Sequence, residues 1–362
     1  MPGPVSGLAG IARVCEAMQF AAFPRFVVTS VADGKPAAYR CGGSAGFSPA
    51  SRFTRGAALF NAAALGTQAA RIVDLRGQKF LGCRSAPLML CAPQARGWTM
   101  YSEQLGVAQQ AAAAAAEVIR EAYRSDFSVR YKGDDSPVTE VDEAAEAAIK
   151  AVILGAFPDH GFYGEELGQQ NLDAEFLWLV DPIDGTKSFV RGYPVFSTQI
   201  ALMHRGELVV GVSSAPCWNG GAGELLHAAK GHGAWLGDQC LSISPVERLD
   251  RATLSTGNLN ALADSPAWAR FGELVPKLHR LRGYGDFLHY HWLASGKLDV
   301  VMESNVNILD IAANVVIVRE AGGVFTNLRG GDIELDTTTV LAASPALHPQ
   351  VLEAIGYDSD LV

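Results

Sequence analysis

Apolar and polar positions fall into two regimes that meet near Met100. Before it, Gly, Pro, Ser and Ala are scattered through residues 1–99 without a sustained helical or strand period, so no element is predicted there. Beyond it the periods are clear. Residues 105–124 include six consecutive alanines and close on Val118, Ile119 and Tyr123, which predicts a long helix. A second helix is predicted over 139–156, where Val141, Ala145, Ala148, Ile149, Val152 and Ile153 recur at helical spacing and Pro158 follows. Residues 176–180 form an apolar run of strand length that ends on Asp181-Pro182, and 197–203 with 207–213 read as a hairpin about His204-Arg205-Gly206. Further on come a helix over 287–294, a strand over 298–303, a helix over 310–321 and a strand at 324–326. Helices and strands mix without regular βαβ alternation, which predicts an α+β, layered arrangement rather than a doubly wound sheet.

Composition sharpens this picture. With 362 residues, 49% apolar and 19% charged, the chain has the balance of a globular protein of one large or two ordinary domains. No uncharged apolar run approaches the ~18 residues that span a bilayer. The net charge of −9 conceals a split: of 29 Lys and Arg and 38 Asp and Glu, residues 1–99 hold 11 and 3, leaving 18 and 35 for residues 100–362. So acidic a region repels nucleic-acid phosphates and anionic membrane surfaces, and a small molecule is the expected partner. Its clustered carboxylates suit hard divalent cations. The six cysteines form no CxxC pair, which points to a reducing compartment, and a cytoplasmic location is expected. Residues 1–99 are basic, Arg-rich and acid-poor. They are read as an N-terminal extension outside the 100–362 domain: an organelle transit segment, a disordered tail, or sequence upstream of a true start at Met100.

Three acidic motifs carry the candidate chemistry: Gly164-Glu165-Glu166, Asp181-Pro182-Ile183-Asp184-Gly185-Thr186, and Leu309-Asp310 leading to Glu320-Ala321-Gly322-Gly323. In the second, two carboxylates three residues apart flank the Ile183 carbonyl on what reads as one turn. Gly185 permits close backbone approach, and Thr186 adds a hydroxyl beside amides that start a helix. Carboxylates with a carbonyl suit Mg²⁺, and helix-start amides suit phosphate. Glu165 and Asp310 complete an oxygen-only cage. Taken singly, each of these acids reads as a surface charge or a helix cap. Gly231-His232-Gly233 lacks the strand–helix setting of a dinucleotide site. His289 and His291, two apart on a helix, face different sides, and Cys217 reads as a buried thiol.

These motifs, with Ser136-Pro137-Val138-Thr139 and Asp142, stand in the order and spacing of the inositol monophosphatase-like family of Mg²⁺-dependent, Li⁺-sensitive phosphatases, which the chain resembles over 103–357. The resemblance implies an αβαβα sandwich of the sugar-phosphatase type and a homodimer. It implies Glu165, Asp181, Asp184, Asp310 and the Ile183 carbonyl as ligands of two or three Mg²⁺ ions, with Mn²⁺ an alternative. Gly185 and Thr186 are implied as phosphate-binding amides. By the same resemblance Asp142 with the Thr186 hydroxyl would orient and deprotonate water, with Glu165 beside them, and Lys132 would lie in a mobile loop. The implied reaction is in-line attack by metal-activated water without a covalent enzyme intermediate. Leu309 departs from the family's usual Trp before the last aspartate.

The substrate is implied by the residues around the leaving group. Glu303, seven residues before Asp310, matches the acidic position that contacts substrate hydroxyls or an amine. Arg282-Gly283-Tyr284-Gly285-Asp286-Phe287 resembles the histidinol-phosphate phosphatase branch, where an acid stands at Asp286. Two acids flanking the pocket suit an ammonium and an imidazole better than a neutral polyol. The alternatives are an inositol-1-phosphate or broad sugar-phosphate phosphatase, a nucleotide bisphosphatase, and a catalytically silent binding subunit. As a cap on the following helix, Asp286 would have a purely structural role.

Overall fold

The computed structural model describes residues 26–32, 35–41, 48–49, 59–61, 100–125, 128–131 and 137–357. The chain divides into two compact units, Met1–Leu90 and Cys91–Val362.

In the first unit, β1 (Phe26–Ala32) and β2 (Lys35–Cys41) pair antiparallel from Phe26↔Cys41 to Ala32↔Lys35. With β3 (Ser48–Pro49) and β4 (Leu59–Asn61) they form a sheet of order β3-β2-β1-β4. Hydrophobic periodicity predicts none of these strands, because β1 and β2 do not alternate apolar with polar residues. The legible signal is the connection, since Asp33-Gly34 is a dipeptide favoured in two-residue hairpin loops.

The second unit runs α1 (Ser102–Ala122), β5 (Val129–Tyr131), β6 (Pro137–Thr139), α2 (Glu140–Ala156), β7 (Gly161–Gly164), β8 (Gln169–Gln170), β9 (Phe176–Asp184) and α3 (Thr186–Val190). It continues through β10 (Ser197–His204), β11 (Glu207–Ala215), β12 (Glu224–Ala229), β13 (Ala234–Leu236), β14 (Gln239–Cys240), β15 (Thr253–Thr256), α4 (Asn260–Ala263) and α5 (Ala267–Leu274). It closes with β16 (Arg280–Arg282), α6 (Asp286–Ala294), β17 (Val300–Ser304), α7 (Ile308–Glu320), β18 (Val324–Thr326), β19 (Thr339–Ala343) and α8 (His348–Ile355). The long elements fall where the periods predict them. β9 differs in continuing through Asp184 instead of ending at Asp181, and β12 to β16, α5, β19 and α8 lie in stretches for which the periods predict no element.

Alternation along the strands builds five layers. An eight-stranded sheet, β14-β13-β12-β11-β10-β9-β7-β8, and a five-stranded sheet, β16-β15-β17-β19-β18, are each apolar on both faces. On β9 and β10, Trp178, Val180, Ile200 and Leu202 pack against α1 and α2, where Ala108, Ala111, Ala112 and Ala115 admit close helix approach. Their neighbours Leu177, Leu179, Ala201 and Met203 face α6 and α7. On the second sheet, Val301, Val340 and Ala342 join that same middle layer, while Val300, Met302, Leu341 and Ala343 pack outward against α5 and α8. The order is helix, sheet, helix, sheet, helix, as the family resemblance implies. The middle layer is tight: a Cβ on Gly211 of β11 would collide with the carbonyl oxygen of Ala313 in α7.

Candidate active site

The site gathers at the carboxyl end of β9, where Asp181, Asp184 and Asp310 each present an oxygen within 4.8 Å of the others. Residues three apart on a regular strand point to opposite faces. Here Ser197 pairs with Asp184 and Gln199 with Asp181, so β9 carries one residue more than β10 and the register shifts. This bulge, with the donor-less Pro182 inside it, aims both aspartates at one point. They sit on a bulged strand and not on the turn that the sequence suggests. Ile183 N donates to Asp181 Oδ1 at 2.9 Å, Thr198 Oγ1 to the Pro182 carbonyl at 2.8 Å, and Ser197 Oγ to Asp184 Oδ2 at 3.3 Å.

Two helix starts deliver further carboxylates. Thr139 N donates to Asp142 Oδ2 at 2.8 Å and the Thr139 hydroxyl to the same oxygen at 2.5 Å, forming a capping box at α2. Asn307 and Asp310 build the corresponding box at α7, with Asn307 N donating to Asp310 Oδ2 at 3.0 Å. The cap reading is therefore correct for both aspartates, yet it accounts for only one oxygen of each. Asp142 Oδ1 stands 3.4 Å from Thr186 Oγ1, which also lies 3.0 Å from the Ile183 carbonyl. That carbonyl is thus not free, as the sequence suggests, but it keeps a second lone pair. Gly185, with φ +89°, precedes α3 and turns the chain there. Leu309 is buried in the middle layer, so its side chain keeps a packing role in place of Trp.

Burial and neighbouring carboxylates raise the acids of this cluster together. Burial first, then Glu165, Asp310, Asp184 and Asp142, hold the Asp181 carboxyl well above its ordinary range. Burial, Asp310, Asp286 and Glu303 do the same to Asp184, and burial first pushes Asp310 up to about 6. Burial also raises Asp142, against the hydrogen bonds from Thr139. The charged neighbours that weigh most on Asp181 are all carboxylates, so a cation is the group this donor set fits.

Glu165 is exposed, outside the three-aspartate group, but close enough to act on Asp142, Asp181 and Asp310. Its loop is held by a residue that sequence reading misses. The buried Glu146 carboxylate accepts from Glu166 N at 2.7 Å and Leu167 N at 2.9 Å, and it occupies the space a Cβ on Gly164 would take. The available signal was Glu146 one helical turn after Asp142 on the buried face of α2.

Asp286 and Glu303 each act on Asp184. Asp286 has φ +47°, sparsely populated for a non-glycine residue, and burial with Glu303 pushes its carboxyl up to about 6. Lys132 lies outside the described residues. Lys187 and Arg191 are exposed. Gly231 and Gly233 donate backbone N–H groups to Glu320, a structural turn. His289 and His291 do face different partners: Ser255 with Glu303, and Ser213 with Glu224. Cys217 is buried, and burial raises its thiol. Among the described residues no helix is long and apolar enough to cross a membrane.

A layered α+β sandwich with converging carboxylates at a strand end defines a phosphatase that hydrolyses phosphate monoesters. The chain belongs to the inositol monophosphatase family, whose pattern matches residues 100–357. It is 38% identical over 232 residues to a histidinol-phosphatase of Mycobacterium tuberculosis, covering 63% of this chain and 87% of that one. It is 34% identical to an inositol-1-monophosphatase of Caulobacter vibrioides over 64% of this chain and 91% of the relative. The crystal structure of the extragenic suppressor protein suhB from Bartonella henselae superposes with TM-score 0.64 at 29% identity, covering 70% of this chain and 98% of that one. Members of the family are generally metal-dependent, which agrees with the acidic cluster.

Proposed function

We propose that this phosphatase is a Mg²⁺-dependent histidinol-phosphate phosphatase whose catalytic unit is residues 100–362. The observation that carries the substrate reading is the second acidic pair: Asp286 and Glu303, both within electrostatic reach of Asp184, lie beside the cluster and can pair with a substrate cation. The histidinol-phosphatase relative supports it, and the inositol-1-monophosphatase relative supports the alternative, a polyol-phosphate phosphatase.

Asp181, Asp184, Asp310, Glu165 and the Ile183 carbonyl would hold the Mg²⁺ ions. Bound there, Mg²⁺ supplies Lewis-acid polarisation of the phosphate and of the attacking water. Everything else falls to the chain. Asp142 keeps Oδ2 on the helix cap and uses Oδ1, beside the Thr186 hydroxyl, to orient a water and take its proton. The Gly185 and Thr186 amides, at the start of α3, would donate their N–H groups to the phosphate oxygens. Asp286 and Glu303 orient the leaving group through its amine and imidazole.

Phosphate release by the full chain in Mg²⁺, with histidinol phosphate and inositol 1-phosphate at matched concentrations, tests the reading. A preference of about 100-fold for histidinol phosphate, ~2.7 kcal/mol of transition-state discrimination, that collapses in Asp286→Asn is the expected result. Equal or faster turnover of inositol 1-phosphate overturns it.

A further inference from the structure

Glu303 and Asp286 lie on different elements, β17 and the start of α6, and a buried relay joins them. The Tyr284 backbone N–H, two residues before Asp286, donates to Ser255 Oγ at 3.1 Å. Ser255 Oγ stands 3.3 Å from His289 Nδ1, on the first turn of α6 after Asp286. His289 Nε2 then stands 3.0 Å from Glu303 Oε2, which also receives the Tyr290 hydroxyl at 2.5 Å. His289 is fully buried, and Nε2 finds no aligned hydrogen-bond partner despite that short approach. A buried ring nitrogen off line from a carboxylate is an expensive arrangement to keep for packing alone, since an apolar ring of the same volume fills the space without it. The other oxygen, Glu303 Oε1, is pressed against Gly257, where a Cβ would overlap it. The Glu303 carboxylate is therefore fixed from both sides.

We propose that His289 is a positioning residue for substrate selection, holding the Glu303 carboxylate in register with the Asp286 loop so that the two acids receive the distal polar group of a phosphate monoester together. The deeper form of the inference, that this distal group is a cation, rests on the substrate reading above. Ser255 couples the loop to the ring, and the ring couples to the acid.

The test compares His289→Phe, His289→Gln, Glu303→Gln and the His289→Phe/Glu303→Gln double variant in the full chain with Mg²⁺. The substrates are histidinol phosphate, inositol 1-phosphate and p-nitrophenyl phosphate, which lacks a distal polar group of this kind. The expected result is an approximately tenfold fall in the kcat/KM ratio of histidinol phosphate over p-nitrophenyl phosphate in His289→Phe, carried by KM. His289→Gln, which restores an N–H toward Glu303, recovers most of it, and Phe adds nothing in the Glu303→Gln background. If wild type prefers inositol 1-phosphate and the same Glu303-dependent loss appears on that substrate, the role of His289 stands and the histidinol-phosphate reading falls. An equal loss on all three esters, an effect additive with Glu303→Gln, or no change in the ratio overturns the role of His289.

Discussion

Asp181 and Asp184 share one face of β9 because that strand carries one residue more than β10 between them. Without the bulge the second carboxylate would point at the α1–α2 layer, and the cluster with Asp310 would not form.

The Glu146 carboxylate fixes the Glu165 loop through two backbone N–H groups. Glu146→Ala is expected to destabilise the protein by about 2 kcal/mol, because those donors lose their acceptor. It should also raise the Mg²⁺ concentration for half-maximal activity several-fold. Gly164→Ala, which drives a methyl into the same carboxylate, should have the same phenotype. Melting curves and a Mg²⁺ titration of phosphate release check both.

Asp310 has a folded-state carboxyl raised from 3.8 to about 6, with burial the largest cause. The folded state therefore holds this proton to higher pH than the unfolded chain. Its contribution is most favourable below about 4 and is lost as pH rises through 6, to a cost on the order of 3 kcal/mol. Asp310→Asn keeps a cap oxygen for Asn307 and removes the charge. In chelator, the variant is expected to melt above wild type by a margin that opens between pH 4 and 7, while its phosphatase activity is lost. A margin independent of pH would contradict the assignment.

Thr186 Oγ1 bridges Asp142 and the Ile183 carbonyl. Thr186→Val keeps the shape and removes the hydroxyl, so kcat should fall by about 10²-fold or more with little change in melting temperature. Steady-state kinetics beside a thermal scan separates this from a folding defect.

Gly211 lies against the α7 backbone at Ala313. Gly211→Ala is expected to cost ~2 kcal/mol or more, because backbone, unlike a side chain, cannot swing aside. Denaturant midpoints measure it, and a near-neutral result would mean the middle layer yields more than its packing indicates.

Much of this architecture is legible in the sequence for a definite reason. Helices and strands that bury one stripe or one face reveal themselves by period, as 139–156 and 197–213 do. The site motifs are legible because four short patterns stand in order, and their fold follows from the resemblance. What escapes is whatever depends on relations across the chain. The bulge requires knowing which residue of β10 faces Asp184. Glu146 looks like any helix acid until Gly164 is placed over it, and His289 looks like packing until Glu303 and Ser255 arrive from two other strands. In β1 and β2 there is no period to read, and only the Asp33-Gly34 connection marks a hairpin.

The capping boxes divide the labour of two carboxylates atom by atom. Asp142 and Asp310 each give Oδ2 to the backbone that begins a helix, and their other oxygen is left to the site. The half of the side chain that shapes the molecule is not the half proposed for the chemistry. An amide can inherit the first task but not the second, so Asp→Asn at either position is expected to silence the reaction and leave the architecture standing, whereas Asp→Ala is expected to remove both at once. Loss of chemistry and loss of structure are thus separable here by the choice of a single atom.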